Sequence, residues 1–234
     1  MSRIIAFFNS AGGVGRTTSA LSIAVAFSEY GKRVLLVDCD PQGALTFTLG
    51  KEKSRRSAFD IYSGRERALG MIHQTSERVD LIPSSPKLYD VGRPKNNAIL
   101  FDALNGFEYD IIIIDTGAGF TGLHQSVMAS ADEIFIPTRL DLLSARGALQ
   151  VAHESKNYRG HIRAVLPTMV DVRARQSQEM LALLKEKFAG KVIDPGIPKS
   201  PLINDAVVAG QSLLNFKKTS ELAGKYREIT YDFL

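Results

Sequence analysis

The chain has 234 residues, 44% of them hydrophobic and 23% charged, with a formal net charge of +4. That length holds one large α/β domain or two small ones, and the balance is that of a water-soluble globular chain, with a charge that permits a polyanion partner without demanding one. No apolar run nears the roughly 18–20 residues of a membrane helix, no leader is read before the first strand, and a single cysteine, Cys39, excludes an intrachain disulfide.

Taken in order, apolar runs of strand length alternate with stretches of helical spacing. Strands are predicted over residues 4–9, 33–38, 79–83, 110–115, 133–137, 162–168 and 191–193. Several are unbroken runs of Ile, Val and Leu, which mark strands buried on both faces of a parallel sheet. Helices are predicted over 17–30, 95–104, 122–130, 144–157, 176–188 and 220–231, with Gly31 closing the first as a C′ glycine. The alternation implies an α/β fold: a single-domain, doubly wound, mostly parallel sheet flanked by helices over residues 1–234. Residues 51–75 are the least legible. There Lys51, Lys53, Arg55 and Arg56 form a basic cluster that reads either as a solvated loop or as part of a polyanion surface. Cys39, at an apolar strand end, reads as a small buried side chain.

Chemistry first enters at residues 4–18, where an apolar run meets a glycine-rich turn and then an alanine-rich helix. Gly12, Gly13 and Gly15 let backbone N–H groups approach a ligand closely. The helix behind them adds its positive end, so the turn suits a nucleotide phosphate. Thr17 stands where a P-loop hydroxyl would ligate Mg²⁺, but Ser10 replaces the first glycine of that pattern and Arg16 its lysine.

Two further strands end in carboxylates. Asp38 and Asp40 follow residues 34–37, two apart and at the sheet edge where open α/β folds bind ligands. One carboxylate there can help hold a metal's water shell, and the other can orient an attacking water. Asp115 ends a run of four isoleucines, where a carboxylate is unfavourable unless paired or near a metal.

Residues 9–18, Asn-Ser-Ala-Gly-Gly-Val-Gly-Arg-Thr-Thr, resemble the deviant Walker A box of the ParA/MinD ATPases. Residues 38–44 resemble that family's second motif, with Ala44 where Asn is usual, and Asp115 fits its Walker B position. Residues 131–138 resemble a further strand of the family, so the likeness runs from Ile4 to about Phe216, with 51–75 unmatched. It implies ATP and Mg²⁺ as cofactors. Ala11, Gly12, Gly13, Val14, Gly15, Arg16, Thr17 and Thr18 would cradle the phosphates. Asp40 would position the hydrolytic water, with Asp38 a metal-side helper and Arg16 a catalytic cation; Thr17, Asp38 and Asp115 would serve the metal. Loops at Met169 and Pro198 would flank the adenine. Ala11 replaces the signature lysine that in the family reaches the partner's ATP, so another cation is expected in its place: Arg146, ahead of Arg139 or Lys156.

The resemblance further implies a slow ATPase forming an ATP-sandwich homodimer, bound without sequence preference to nucleoid DNA in the cytoplasm. A ParB-like or McdB-like adaptor would stimulate it, and the cargo would be a plasmid, a chromosome or another large body. Arg173, Arg175, Lys217, Lys218, Lys225 and Arg227 are the basic residues expected to meet phosphates. The mixed-sign tail, residues 220–234, disfavours a membrane anchor. The alternative is an ATP-binding, weakly hydrolysing scaffold of the TadZ-like kind, motivated by Ala11 and Arg16 and opposed by Asp40.

Overall fold

The computed structural model describes residues 2–64, 68–92, 94, 96–171 and 173–234. The chain runs β1 (Arg3–Phe7), α1 (Arg16–Glu29), β2 (Val34–Cys39), α2 (Ala44–Thr48), α3 (Ala58–Ser63), β3 (His73–Gln74), β4 (Asp80–Ile82), α4 (Ile99–Leu104) and β5 (Ile111–Thr116). It continues α5 (Gly122–Ser130), β6 (Glu133–Arg139), α6 (Leu142–Glu154), β7 (His161–Thr168), α7 (Arg175–Lys187), α8 (Leu202–Val208), α9 (Leu213–Phe216) and α10 (Glu221–Tyr231).

The seven strands lie in the order β3-β4-β2-β5-β1-β6-β7. Every described pairing is parallel except β3 with β4. Strands β2 and β5 are buried along their whole length, as their unbroken apolar runs require. Alternate side chains feed two cores. One packs α1, α9 and α10 on one face; the other packs α3 to α7 on the opposite face. α10 is spent in the first: Leu222, Ala223, Tyr226 and Ile229 are buried there, and α10 packs on α1.

Two expectations need correcting. Residues 191–193 form no strand; Val192 makes only an isolated bridge to Val165. The apolar run is too short and too broken by Lys191 and Asp194 to extend a ladder. β3 was not anticipated, because His73 and Gln74 carry no apolar signal and pair only as an antiparallel edge. The short helices α2, α3, α8 and α9 span one or two turns and leave too little periodicity to be read. Helix 95–104 begins at Ile99; its expected first residue, Lys95, lies outside the described residues. Gly31 does close α1, at φ 81°, with its N–H donated to Ser28 and that of Lys32 to Phe27.

Candidate functional site

β1 sits between β5 and β6, next to the point where the strand order reverses, so the loop leaving it opens into the crevice where such sheets bind ligands. Gly13 and Gly15 adopt φ of 64° and 79°, the left-handed conformation that favours glycine. The loop is braced from three sides. Asn9, fully buried, donates from Nδ2 to the Pro137 carbonyl at 2.8 Å and accepts the Ala11 N–H at 2.9 Å. The Thr168 hydroxyl, at the end of β7, donates to the Val14 carbonyl at 2.8 Å. α6 packs directly on the loop at Gly147, where a Cβ would lie 2.3 Å from Asn9 Oδ1 and 3.0 Å from the Ala11 nitrogen.

Arg16 is buried at the start of α1, and its guanidinium is committed to backbone carbonyls. Nε donates to Thr116 at 2.9 Å, and Nη1 donates to Asn9 at 2.6 Å and to Ala11. It therefore ties the glycine loop to the end of β5. Burial lowers its pKa, and the charges of Asp115 and Asp40 oppose that shift.

The three aspartates converge on this point in unlike states. Asp38 and Asp115 are register partners on adjacent strands, and both are fully buried. Asp38 Oδ1 accepts the Asp40 N–H at 3.0 Å; its Oδ2 accepts the Thr46 N–H at 2.9 Å and the Thr46 hydroxyl at 2.6 Å. Its carboxylate thus holds the turn that presents Asp40 and opens α2. Among the described residues no close hydrogen bond reaches either oxygen of Asp115, although the Thr17 side chain stands near enough to act on it. Its pKa is raised, first by burial and then by the neighbouring Asp38 charge, with the Thr17 side chain and then Arg16 acting the other way. Asp40 is partly exposed and accepts the Gln42 N–H at 2.9 Å.

A buried carboxylate without a close hydrogen bond, beside a phosphate loop, fits a magnesium ion. Among the described residues no cluster of His, Cys, Asp or Glu could hold a metal alone. Mg²⁺ needs none when substrate phosphates and one or two protein groups supply the ligands. Asp115 and Thr17, which lie close enough for the Thr17 side chain to act on the Asp115 carboxyl, would be the groups to hold it, with Asp38 on the adjacent strand.

Met169 and Pro198 are brought together. Val170 bridges Pro198, and its N–H donates to the Ile197 carbonyl at 3.0 Å. Met169 takes a positive φ of 50° directly after Thr168, so both loops stand beside the glycine turn. Beyond the turn, on its outer side, lies a concavity of about 730 Å³ that includes Ala11, Leu142, Leu143 and Arg146 in its lining. Leu142 and Leu143 are 63% and 72% exposed. Arg139 pairs with Asp141 at 3.2 Å; Arg146 is exposed and has no ion-pair partner among the described residues. Lys156 follows α6 and opens onto a different concavity.

The expected basic surface divides. Arg175, Lys225 and Arg227 have carboxylate partners in Glu179, Glu221 and Glu29. Lys217, Lys218 and Arg173 are exposed without one among the described residues. Lys51, Lys53, Arg55 and Arg56 line one concavity with His73. Sequence reading missed Gly147, Thr168 and His124. Gly147 could have been noticed as a glycine interrupting a helix; the other two carry no local signal.

A protein-family model described as an AAA domain matches residues 2–167. The chromosome-partitioning ATPase Soj of Thermus thermophilus is 30% identical over 99% of this chain and 95% of its own length. Among solved structures, cobyrinic acid a,c-diamide synthase from Mycobacterium smegmatis with bound ADP and magnesium is 28% identical, with a TM-score of 0.84 over 100% of this chain and 94% of that one. The Cyanothece McdA(D38A)–ATP complex reaches a TM-score of 0.88 at 22% identity, covering 99% and 95%, and supports the fold.

Proposed function

The chain belongs to the ParA/MinD-type P-loop ATPases, and we propose that within them it is a DNA-bound dimer that positions a large cargo. It is a ParA-like partitioning or positioning ATPase that uses ATP and Mg²⁺. The observation that carries the reading is Asp115: a fully buried carboxylate at the foot of the glycine loop, with no close hydrogen bond among the described residues and only the Thr17 side chain acting on it locally as a donor.

The chemistry follows from the groups present. The N–H groups of residues 12–18 bind and orient the triphosphate. Mg²⁺, when bound, would supply charge neutralisation for the phosphates. Asp115 and Thr17 would hold it, and Asp38 fixes the turn that carries Asp40. Asp40, the freest of the three carboxylates, orients the water that attacks the terminal phosphate. Phosphoryl transfer asks for little more than such positioning and charge stabilisation. Met169 and Pro198 flank the base.

The second protomer docks on the concavity beside Ala11. The exposed pair Leu142 and Leu143 offers apolar surface, and Arg146 supplies the cation that Ala11 lacks. Arg146 is preferred over Arg139, which is already paired with Asp141. The dimer then binds DNA through Arg173, Lys217 and Lys218, and a ParB-like or McdB-like adaptor triggers hydrolysis and release. Paired residues such as Arg227 contribute little, because their charge is already compensated.

Light scattering and DNA co-sedimentation with and without MgATP test this together. Wild type should dimerise and bind DNA only with ATP, with affinity falling linearly in log salt. Arg146→Ala should stay monomeric with ATP bound. DNA binding that is equal with and without ATP, or an intact dimer in Arg146→Ala, contradicts the proposal.

A further inference from the structure

The loop after β5 is held from behind by a side chain that lines no part of the phosphate cradle. His124, in the first turn of α5, is 4% exposed. Its ring lies edge-on to Phe8, with centroids 5.1 Å apart, and stacks on Phe120 at 6.4 Å. Nδ1 faces the Thr121 N–H at 3.0 Å and the Thr121 hydroxyl at 2.8 Å. Nε2 faces the Gly117 carbonyl at 3.1 Å. A backbone N–H can only donate and a carbonyl can only accept, so these partners admit one neutral tautomer, protonated at Nε2.

Gly117 is in turn the wall against which Asp40 rests. A Cβ at Gly117 would lie 2.9 Å from Asp40 Oδ1 and 3.3 Å from its Cγ. Only the missing side chain of Gly117 lets the carboxylate lie this close to the loop. The same loop is pinned at its other end by the Gly119 N–H, which donates to the Ser10 carbonyl at 2.9 Å. Contact thus runs from His124 through Gly117 to Asp40, and from Gly119 back to the glycine turn.

We propose that His124 is a positioning residue for hydrolysis: by gripping the Gly117 carbonyl it fixes the wall that sets the Asp40 carboxylate against the terminal phosphate. This rests on the reading of Asp40 as the water-orienting group. His124 is buried behind the loop, with its ring nitrogens committed to Thr121 and Gly117, so its removal should act on turnover and spare ATP binding. Small displacements of a positioned group are sufficient to slow such a reaction by about 10²-fold.

The two ring nitrogens have separable duties, which gives a test that a merely structural histidine would fail. His124→Asn places an acceptor near the Nδ1 position and keeps the cap on Thr121, but does not reach Gly117. His124→Gln reaches Gly117 and gives up the cap. Steady-state ATPase kinetics, thermal melting and MgATP calorimetry should be run on both. The expected result is a crossover. Asn loses about 10–100-fold in kcat with KM within about twofold, while melting close to wild type. Gln keeps kcat within about threefold but melts lower. If turnover instead tracks melting temperature across the two variants, or if Asn turns over like wild type, His124 is a packing residue and the inference falls. Asp40→Ala in parallel separates the levels: wild-type turnover in that variant overturns the reading beneath the inference, whatever His124 does.

Discussion

Asp38 and Asp115 sit side by side on adjacent parallel strands, equally buried, yet one carboxylate accepts three close hydrogen bonds while the other, among the described residues, has only the Thr17 side chain near it as a donor. The first is a finished piece of structure. The second stands beside the Thr17 side chain at the glycine loop. Burial raises both pKa values above the ordinary carboxylate value, and the Asp38 charge adds to the rise at Asp115.

A pH dependence follows with a definite sign. A carboxyl group whose pKa is higher folded than unfolded binds more protons in the folded state, so without metal the pair removes stability as pH rises from about 4 into the neutral range. Mg²⁺ needs the ionised form, so its binding releases protons. The Mg²⁺-dependent rise in melting temperature, measured with ATP present, should therefore be larger near about pH 8 than near about pH 6. Calorimetry in buffers of different ionisation heat should detect the released protons. Equal Mg²⁺ effects at both pH values would place the ion away from Asp115.

Arg16 is the second test. Its buried fork satisfies the carbonyls of Thr116, Asn9 and Ala11 together. A lysine ammonium, on a chain without the guanidinium plane, cannot reach all of them. Arg16→Lys should lower stability without nucleotide by about 1–3 kcal/mol, since it strands buried acceptors. It should still bind MgATP, because an ammonium suits phosphate. Chemical denaturation with and without MgATP reads both. A lysine variant as stable as wild type would mean that the guanidinium contacts contribute nothing to the loop.

Gly147 offers a paired comparison. The Cβ of Gly147→Ala would lie 2.3 Å from Asn9 Oδ1, so α6 or the glycine loop must move. Overpacking of this kind destabilises by about 1–3 kcal/mol, and nucleotide affinity should fall with it. Gly224, inside α10, has open space where a Cβ would point, with no atom within 4 Å. Gly224→Ala should be stabilising by about 0.5–1 kcal/mol and leave ATP binding unchanged. Melting curves and ATP titrations of the two variants distinguish a special site from a generic glycine effect.

Much of this is legible in the sequence alone. The unbroken apolar runs ending in Asp38 and Asp115 state both the parallel sheet and the edge at which its chemistry lies. Gly13 and Gly15, which take left-handed conformations, are visible there as a glycine-rich turn between a strand and a helix. What stays hidden is long-range. His124 reaches Gly117 across a turn whose closure depends on Phe8 and Phe120 being neighbours. Thr168 meets Val14 across 154 positions of sequence. The structural duty of Asp38 is hidden for a related reason: only the fold brings Thr46 back to cap it. Arg227 reads as available for DNA until the fold brings Glu29, at the other end of the chain, to hold it.

The most direct measurement is phosphate release by wild type and Asp40→Ala, each with MgATP, DNA and the adaptor. The prediction is slow wild-type turnover stimulated by DNA and adaptor, with Asp40→Ala reduced by about 10²-fold or more while ATP binding and dimerisation persist. Turnover that is equally low in both proteins would contradict it and would favour a scaffold that binds ATP without using it.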